Sequence, residues 1–390
     1  MITGRTLHHC IGSSQWSVAS QGPGRVVWRP INAILSADDI GHIESIQLPS
    51  RQGLTGLPST AHKILIADTS IAPEGVALLE GEASLLMLPP YATEAEIIEL
   101  ARDVDAILLR ACIVSAPVIR AAPALKVVSR HGVGVDNVDV AECTRHGIAV
   151  AITEEANSQA VSEHAFACML ALANDLTRAN AQVRQGKWER HKWVGVELHN
   201  KVLGVVGLGR IGSRTARQGR AFDMQVLACD PYVAAAQADA IGANLVDLET
   251  LLDRADFVSI HVPLNAETRH LFGPKEFAAM KPGSILVNTA RGGIIDELAL
   301  HEALVSGHLF AAALDVFETE PMAENHPLLD LENVLLSPHV AGQSTESMVR
   351  MSVGAAENIR RVLRGERPSY LVNPEVLRDR SRVNWRNGSR

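Results

Sequence analysis

The run Val202-Leu203-Gly204-Val205-Val206-Gly207-Leu208-Gly209-Arg210-Ile211-Gly212-Ser213 decides the fold. Five apolar or small residues read as a buried strand, and a helical pattern follows over 213–221. Between them stands G-x-G-x-x-G. The motif alone is weak, but strand, glycine turn and helix in this order fit one mechanism. Gly207 permits a tight turn, Gly209 lets backbone approach a pyrophosphate, and Gly212 lets helix and strand pack closely. Phosphates would sit at the helix N-terminus, where free N–H groups and the dipole favour anions. The cofactor contacts of this loop are therefore placed on Gly207, Gly209, Arg210, Ile211 and Gly212.

Working outward, the next apolar run, 226–229, leads into Asp230, 18 residues after Gly212. A carboxylate there can accept from both ribose hydroxyls and would repel a 2′-phosphate, which favours NAD over NADP. The alternative for Asp230 is a turn residue before Pro231. Further runs at 257–260, 285–287, 311–316 and 334–336 bring the strand candidates of this half to six, enough for one doubly wound dinucleotide fold. Upstream, runs at 64–67, 84–88, 106–109, 126–129 and 148–152 alternate with helical spacing, such as 94–102. That rhythm reads as a second α/β domain, a parallel sheet with helices on both faces. One long helix is expected over about 157–185, and another over 344–363.

Polar residues gather after the later strands. Arg291 follows 285–287, Asp315 ends 311–316 with Glu320 just beyond it, and His339 follows 334–336. Ligands of open parallel sheets bind outside the carboxyl ends of the strands, so these residues can share one crevice. Singly, each has an ordinary explanation: a loop His after Pro338, a solvated Glu before Pro321, an Arg satisfying loop carbonyls beside Gly292 and Gly293. Jointly they match the reduction of a 2-keto acid, which needs a proton donor and a cation for the carboxylate. An imidazolium is the natural acid near neutral pH, and a neighbouring carboxylate stabilises it. Arg offers a planar fork. His339 is thus read as acid/base, Glu320 as its partner and Arg291 as substrate anchor.

Other candidates lie in the first half. Arg110 ends one strand, and Arg130-His131-Gly132-Val133-Gly134 follows another. Arg110 or Arg130, with Gly132 beside it, either meets a second anionic group of the substrate or pairs with surface acids. Asn157 is either a helix N-cap or a group facing the substrate. His261 is read as ending its strand. Glu163 and His164 resemble half of a metal motif, but no second His follows at helical spacing, so no metal is expected.

Bulk properties narrow the function classes. Apolar residues make up 47% and charged residues 21% of 390 residues, an ordinary globular balance for two domains. The 36 Lys and Arg against 44 Asp and Glu give a net charge of −8, a poor match to nucleic acid. The longest apolar run, 165–173, is about half of the ~18 residues a bilayer span needs, so no membrane association is expected. The five cysteines, Cys10, Cys112, Cys143, Cys168 and Cys229, are scattered without a C-x-x-C pair, which fits a reducing, cytoplasmic compartment.

Together, Gly207 to Gly212, Asp230, His261-Val262-Pro263-Leu264, 288–296, Asp315-Val316-Phe317-Glu318-Thr319-Glu320-Pro321 and Ser337-Pro338-His339-Val340 resemble the D-isomer-specific 2-hydroxyacid dehydrogenases. Residues 130–139 resemble the D-3-phosphoglycerate dehydrogenase and hydroxypyruvate reductase branch, and the likeness runs from about 63 to 373. It implies a Rossmann NAD domain inserted in a flavodoxin-like substrate domain, here 157–343 within 63–156 plus 344–373. It implies an Arg/Glu/His set matching Arg291, Glu320 and His339, and homodimers. It also implies backbone contacts to cofactor from Val133, Val262 and Ala290, and side-chain contacts from Asp230 and Asp315. The substrate would be a small anionic D-2-hydroxy or 2-keto acid, 3-phosphoglycerate or glycerate/hydroxypyruvate. The position after Arg110, often Ser in that branch, is Ala111. Formate- or phosphite-type dehydrogenases and NAD-sensing co-repressors are the alternatives.

Residues 1–62, rich in Ser, Gly, Pro and Gln with no acidic residue before Asp38, read as an N-terminal extension. A flexible segment, an ordered arm and a transit peptide all fit that composition. The basic stretch 374–390 reads as a frayed tail. The regulatory ligand-binding domain that follows in some phosphoglycerate dehydrogenases is not expected.

Overall fold

The structure, a computed structural model, describes residues 16–20, 26–30, 62–378 and 381–386. Two compact units divide the chain, Met1–Ser59 and Thr60–Arg390. In the first, β1 (Trp16–Ser20) and β2 (Val26–Pro30) pair antiparallel, with Trp16 opposite Pro30. Apart from His62, the rest of the segment read as an extension lies outside the described residues.

The second unit holds two parallel sheets. The first contains β3 (His62–Ala67), β4 (Ala83–Met87), β5 (Ala106–Leu109), β6 (Val127–Arg130) and β7 (Ala149–Ala151), in the order β4-β3-β5-β6-β7. This is the flavodoxin-like order. Leu65, Ile107, Leu109 and Val128 line one face, and Ile64, Ile66, Leu108 and Val127 the other. Burial on both faces explains why these strands read as continuous apolar runs rather than alternating ones. The second sheet contains β8 (Val202–Val206), β9 (Gln225–Cys229), β10 (Ala243–Leu245), β11 (Phe257–Ile260), β12 (Ile285–Asn288), β13 (Ala311–Leu314) and β14 (Val334–Leu336). Its order, β10-β9-β8-β11-β12-β13-β14, is the dinucleotide-binding order with one strand added at the far edge. Six strands were expected here. The seventh, β10, is a three-residue edge strand whose central Asn244 is exposed, too short to leave a periodic signal.

Helix Thr345–Leu363 returns to the first sheet and buries Ala355, Ala356, Ile359 and Val362 against it. Ser344 caps it by accepting from the Ser347 N–H at 3.1 Å. The sheet built from β8 to β14 therefore lies, in sequence, between parts of the first. The long helix expected over 157–185 is two helices, Ser158–Ala173 and Leu176–Arg184. Asp175 between them adopts φ +46°, a left-handed conformation that Asp tolerates better than most residues. The C-terminal stretch is not frayed where it is described. Val376, Val383 and Trp385 are buried in the core under the first sheet, and the Trp385 indole N–H donates to the Val376 carbonyl at 3.0 Å. Its arginines had suggested solvent, while the alternate apolar residues carry the packing.

Candidate active site

The named side chains converge because parallel strands present their C-terminal ends along one edge of each sheet. The turn after β8 carries the glycine motif. Gly207 adopts φ +92°, which only glycine takes readily, and a Cβ on it would stand 2.8 Å from the His261 carbonyl oxygen. A Cβ on Gly212 would stand 1.9 Å from the Gly207 carbonyl oxygen, so strand and helix meet backbone to backbone. Around Gly209, the N-cap of the twelve-residue helix Arg210–Ala221, a Cβ would meet no atom within 4 Å. That open, donor-rich helix start fits a dinucleotide pyrophosphate. Asp230 stands at the end of β9, with Oδ2 accepting from the Leu208 N–H at 2.8 Å and Oδ1 from the Tyr232 N–H at 2.9 Å. Its carboxylate thus ties the glycine loop to the turn after β9.

Arg210 and Ile211 sit on the first turn of that helix. The Arg210 guanidinium turns away to Glu154 and Glu155 and stacks over the Tyr370 ring at 5.5 Å. Only its backbone remains for an anion at the loop. Val262 packs its Cγ1 against Gly207. The Ala290 N–H donates to Asn288 Oδ1 at 3.0 Å. Val133 occupies the half-buried turn after β6.

His339 and Glu320 meet between the loops after β13 and β14. His339 Nδ1 lies 2.8 Å from Glu320 Oε2, and Glu320 Oε1 accepts from the Phe317 N–H at 3.1 Å. Burial alone would raise the Glu320 pKa. The hydrogen bond and charge of His339, the Phe317 N–H and the charge of Arg291 outweigh it and hold the carboxyl below its ordinary value. His339 adopts φ +54°, held by its own N–H on the Asp315 carbonyl at 2.8 Å. The buried Asp315 carboxylate accepts from Ser337 Oγ at 2.6 Å, the Val340 N–H at 2.9 Å and the Ala341 N–H at 2.8 Å. Three bonds to one loop make Asp315 the anchor of the His339 segment, whatever else it meets. His164 reaches the same anchor, with Nε2 3.2 Å from Ser337 Oγ. Its side chain is half-buried against that loop. Composition held no sign of this, because the contact joins residues 173 positions apart.

Arg291 bridges the two sheets' loops. Its Nε donates to Asp136 Oδ2 at 3.1 Å, and its Nη1 to the Ala290 carbonyl at 2.6 Å. Asp136 lies inside the 130–139 run, and its role was not foreseen. A Cβ on Gly134 would stand 1.8 Å from Arg291 Nη2, so the absence of a side chain there makes room for the guanidinium. Arg130 is half-buried beside it, donating Nε to Asn137 Oδ1 at 3.2 Å and Nη1 to the His131 carbonyl at 2.6 Å. Burial, with Arg291 and Arg110 nearby, lowers the Arg130 pKa to about 10. Arg110 bonds Ser70 Oγ and stands 3.9 Å from the buried Asp68 carboxylate. The charges of Arg291 and Arg110 both bear on Arg130, so three guanidiniums gather at the C-terminal ends of β5, β6 and β12, with Asp136 and Asp68 among them.

Gly132 and Asn157 complete the first-half candidates. Gly132 has its N–H on Thr153 Oγ1 and its carbonyl on the Thr153 N–H, both at 2.9 Å, so its backbone donor is already used. Asn157 holds the N-cap position of helix Ser158–Ala173 but makes no capping bond, and its Oδ1 is buried without a partner. His261 directly follows its strand: it is half-buried, its Nε2 meets Ser259 Oγ at 2.9 Å, and burial of the ring pushes its pKa down to about 3. Among the described residues, no three His, Cys, Asp or Glu side chains are grouped to hold a metal.

Comparison with known proteins agrees with this layout. Residues 166–341 match the family described as D-isomer specific 2-hydroxyacid dehydrogenase, NAD binding domain. D-3-phosphoglycerate dehydrogenase of Synechocystis is 43% identical over 324 residues, 82% of this chain and 58% of that relative. The chain thus spans less than two thirds of that relative's length. Glyoxylate reductase of Korarchaeum cryptofilum is 42% identical over 73% of this chain and 87% of its own length. The crystal structure of a glyoxylate reductase from Paecilomyes thermophila superposes with a TM-score of 0.72 at 30% identity, covering 80% of this chain and 98% of that one.

Proposed function

The chain belongs to the D-isomer specific 2-hydroxyacid dehydrogenases, and from that premise we propose that it interconverts a small D-2-hydroxy acid and its 2-keto acid with NAD. The observation that carries the reading is the 2.8 Å contact between His339 Nδ1 and Glu320 Oε2 beside Arg291. Bound nicotinamide supplies or accepts the hydride. Glu320 holds the proton on Nδ1 of His339, which leaves Nε2 to give a proton to the forming alkoxide or take it back in reverse. Arg291, already steadied by Asp136, binds the substrate carboxylate. Gly207, Gly209, Arg210, Ile211 and Gly212 offer backbone to the cofactor phosphates, and Asp230 reads the ribose. Val133, Val262, Ala290 and Asp315 complete the cofactor's surroundings.

Arg110 and Arg130 bring two further cations to the site, which favours a substrate with a second anionic group. 3-Phosphoglycerate is the first choice, and glycerate/hydroxypyruvate the second. In this reading 157–343 form the cofactor domain and 63–156 with 344–373 the substrate domain. The chain pairs as a homodimer. Leu176, Val183, Trp188, Val194 and Val196 are exposed on one segment of the cofactor domain, more apolar surface than a lone helical arm ordinarily shows. Cys112, Cys143, Cys168 and Cys229 are free, in keeping with the reducing cytoplasm. No described helix is long and apolar enough to cross a membrane.

The test is the initial rate of NADH oxidation with phosphohydroxypyruvate, hydroxypyruvate, glyoxylate and pyruvate. A clear preference for the first supports the phosphoglycerate assignment, and no turnover with any of the four removes the dehydrogenase reading.

A further inference from the structure

The loop that carries Glu320 is held from behind by a carboxylate with no part in the chemistry above. Glu297 opens helix Glu297–Val305 and is buried. Its Oε1 accepts from the Glu318 N–H at 2.8 Å, and Glu318 Oε1 accepts from the Glu297 N–H at 3.3 Å. One residue earlier, the Phe317 N–H donates to Glu320 itself. Successive N–H groups of one loop thus serve the acid–base carboxylate and the buried carboxylate behind it.

The other oxygen of Glu297 is also taken. Oε2 lies 3.0 Å from His326 Nε2. His326 Nδ1 accepts from the Leu328 N–H at 3.3 Å, so the ring carries its proton on Nε2 and donates it to Glu297. His270 Nε2 meets Glu318 Oε1 at 3.3 Å on the outer side. Burial raises the Glu297 pKa, and the charge of Glu318 adds to it, against the pull of the Glu318 N–H and His326. A carboxylate is costly in such a place unless its bonds hold something. What it holds is visible at Gly292: a Cβ there would stand 1.9 Å from the Phe317 carbonyl carbon. The peptide after Phe317 lies flush against the backbone that follows Arg291, and Glu297 clamps that stack.

We infer that Glu297, supported by His326, is a positioning residue that sets the Glu320 loop against the Arg291 loop and so places Glu320 on His339. The inference rests on the reading of Glu320 and His339 as the acid–base pair. Displacing a catalytic group by about 1 Å costs on the order of 100-fold in rate, so the effect belongs in kcat rather than in cofactor binding.

The experiment compares Glu297→Ala, Glu297→Gln and His339→Gln in the full chain, with NADH and the best keto acid. Glu297→Ala is expected to lower kcat by about 10- to 100-fold, with the Kd for NADH, read by fluorescence titration, unchanged. Glu297→Gln keeps an oxygen for the Glu318 N–H but turns an NH2 group toward the His326 Nε2–H, so it is expected to recover part of kcat. Full kcat in Glu297→Ala overturns the inference, as does an equal loss in both Glu297 variants. If Glu297→Ala does not fold, His326→Ala takes its place: a kcat loss at unchanged NADH affinity supports the inference, and full kcat overturns it. His339→Gln separates the two levels. A normal rate there removes the acid–base reading, whereas a dead His339→Gln beside a normal Glu297→Ala removes only the role of Glu297.

Discussion

Nδ1 of His339 lies 2.8 Å from Oε2 of Glu320, joining loops that leave the sheet at β14 and β13. The pair exists because His339 accepts a left-handed φ of +54°, pinned by its N–H on Asp315. Substituting His339→Gln removes the proposed proton donor while keeping a polar side chain. Turnover should fall by about two to four orders of magnitude, the usual weight of general acid–base catalysis. The NADH Kd should not move. Steady-state kinetics beside fluorescence titration measures both, and near-normal turnover would remove His339 from its assigned role.

Asp230 accepts from the Leu208 N–H of the glycine loop and is proposed to read a ribose. Replacing it with Ala should weaken NADH binding by about tenfold or more, the weight of one charge-assisted hydrogen bond. It should also narrow the preference for NADH over NADPH. The ratio of kcat/KM for the two cofactors is the readout, and an unchanged ratio means that Asp230 supports the loop without reading the ribose.

Gly134 leaves room for the Arg291 guanidinium, with a Cβ there only 1.8 Å from Nη2. Gly134→Ala should push the guanidinium out of line and raise the KM of the keto acid by about tenfold or more, with the fold and NADH affinity retained. A wild-type KM would show that Arg291 moves without consequence.

Burial lowers the His261 pKa from its ordinary 6.5 to about 3. The unfolded chain therefore binds a proton below pH 6.5 that the folded chain refuses until about pH 3. The stability associated with the neutral ring is complete above pH 6.5 and declines as pH falls through that window. The slope is at most about 1.4 kcal/mol per pH unit for one group. Chemical denaturation at pH 7, 6 and 5 should show a shallower decline for His261→Gln than for the unaltered protein, and identical slopes would contradict the assignment.

Trp385 is buried with Val376 and Val383 under the first sheet. Trp385→Ala should cost about 3 to 5 kcal/mol, as for other large aromatic deletions from a core. A lower urea midpoint measures it. A loss below about 0.5 kcal/mol would return the tail to the surface.

Some of this was open to reading along the chain and some was not. Runs such as 106–109 and 285–287 are legible because strands buried on both faces need apolar side chains at every position. β10 escapes that logic, being three residues long with Asn244 exposed. The break at Asn174 and Asp175 was missed because both residues occur inside helices, and only the observed φ of Asp175 declares the turn. Trp385 was hidden among arginines whose charge outweighed it in any local average.

The site divides along the same line. Local spacing suffices for the glycine turn, since its chemistry is written in backbone freedom over six consecutive residues. Arg291, Glu320 and His339 could be named from their places after successive strands, because parallel topology sends strand ends to one edge. The contacts that support them could not be read. Asp136 under Arg291, His164 and Asp315 behind His339, and Glu297 behind Glu320 are selected by distances between segments remote in the chain. A periodic pattern records which way a side chain faces, in or out. Which buried carboxylate receives which loop N–H is settled only when the packed elements bring the two within hydrogen-bond reach.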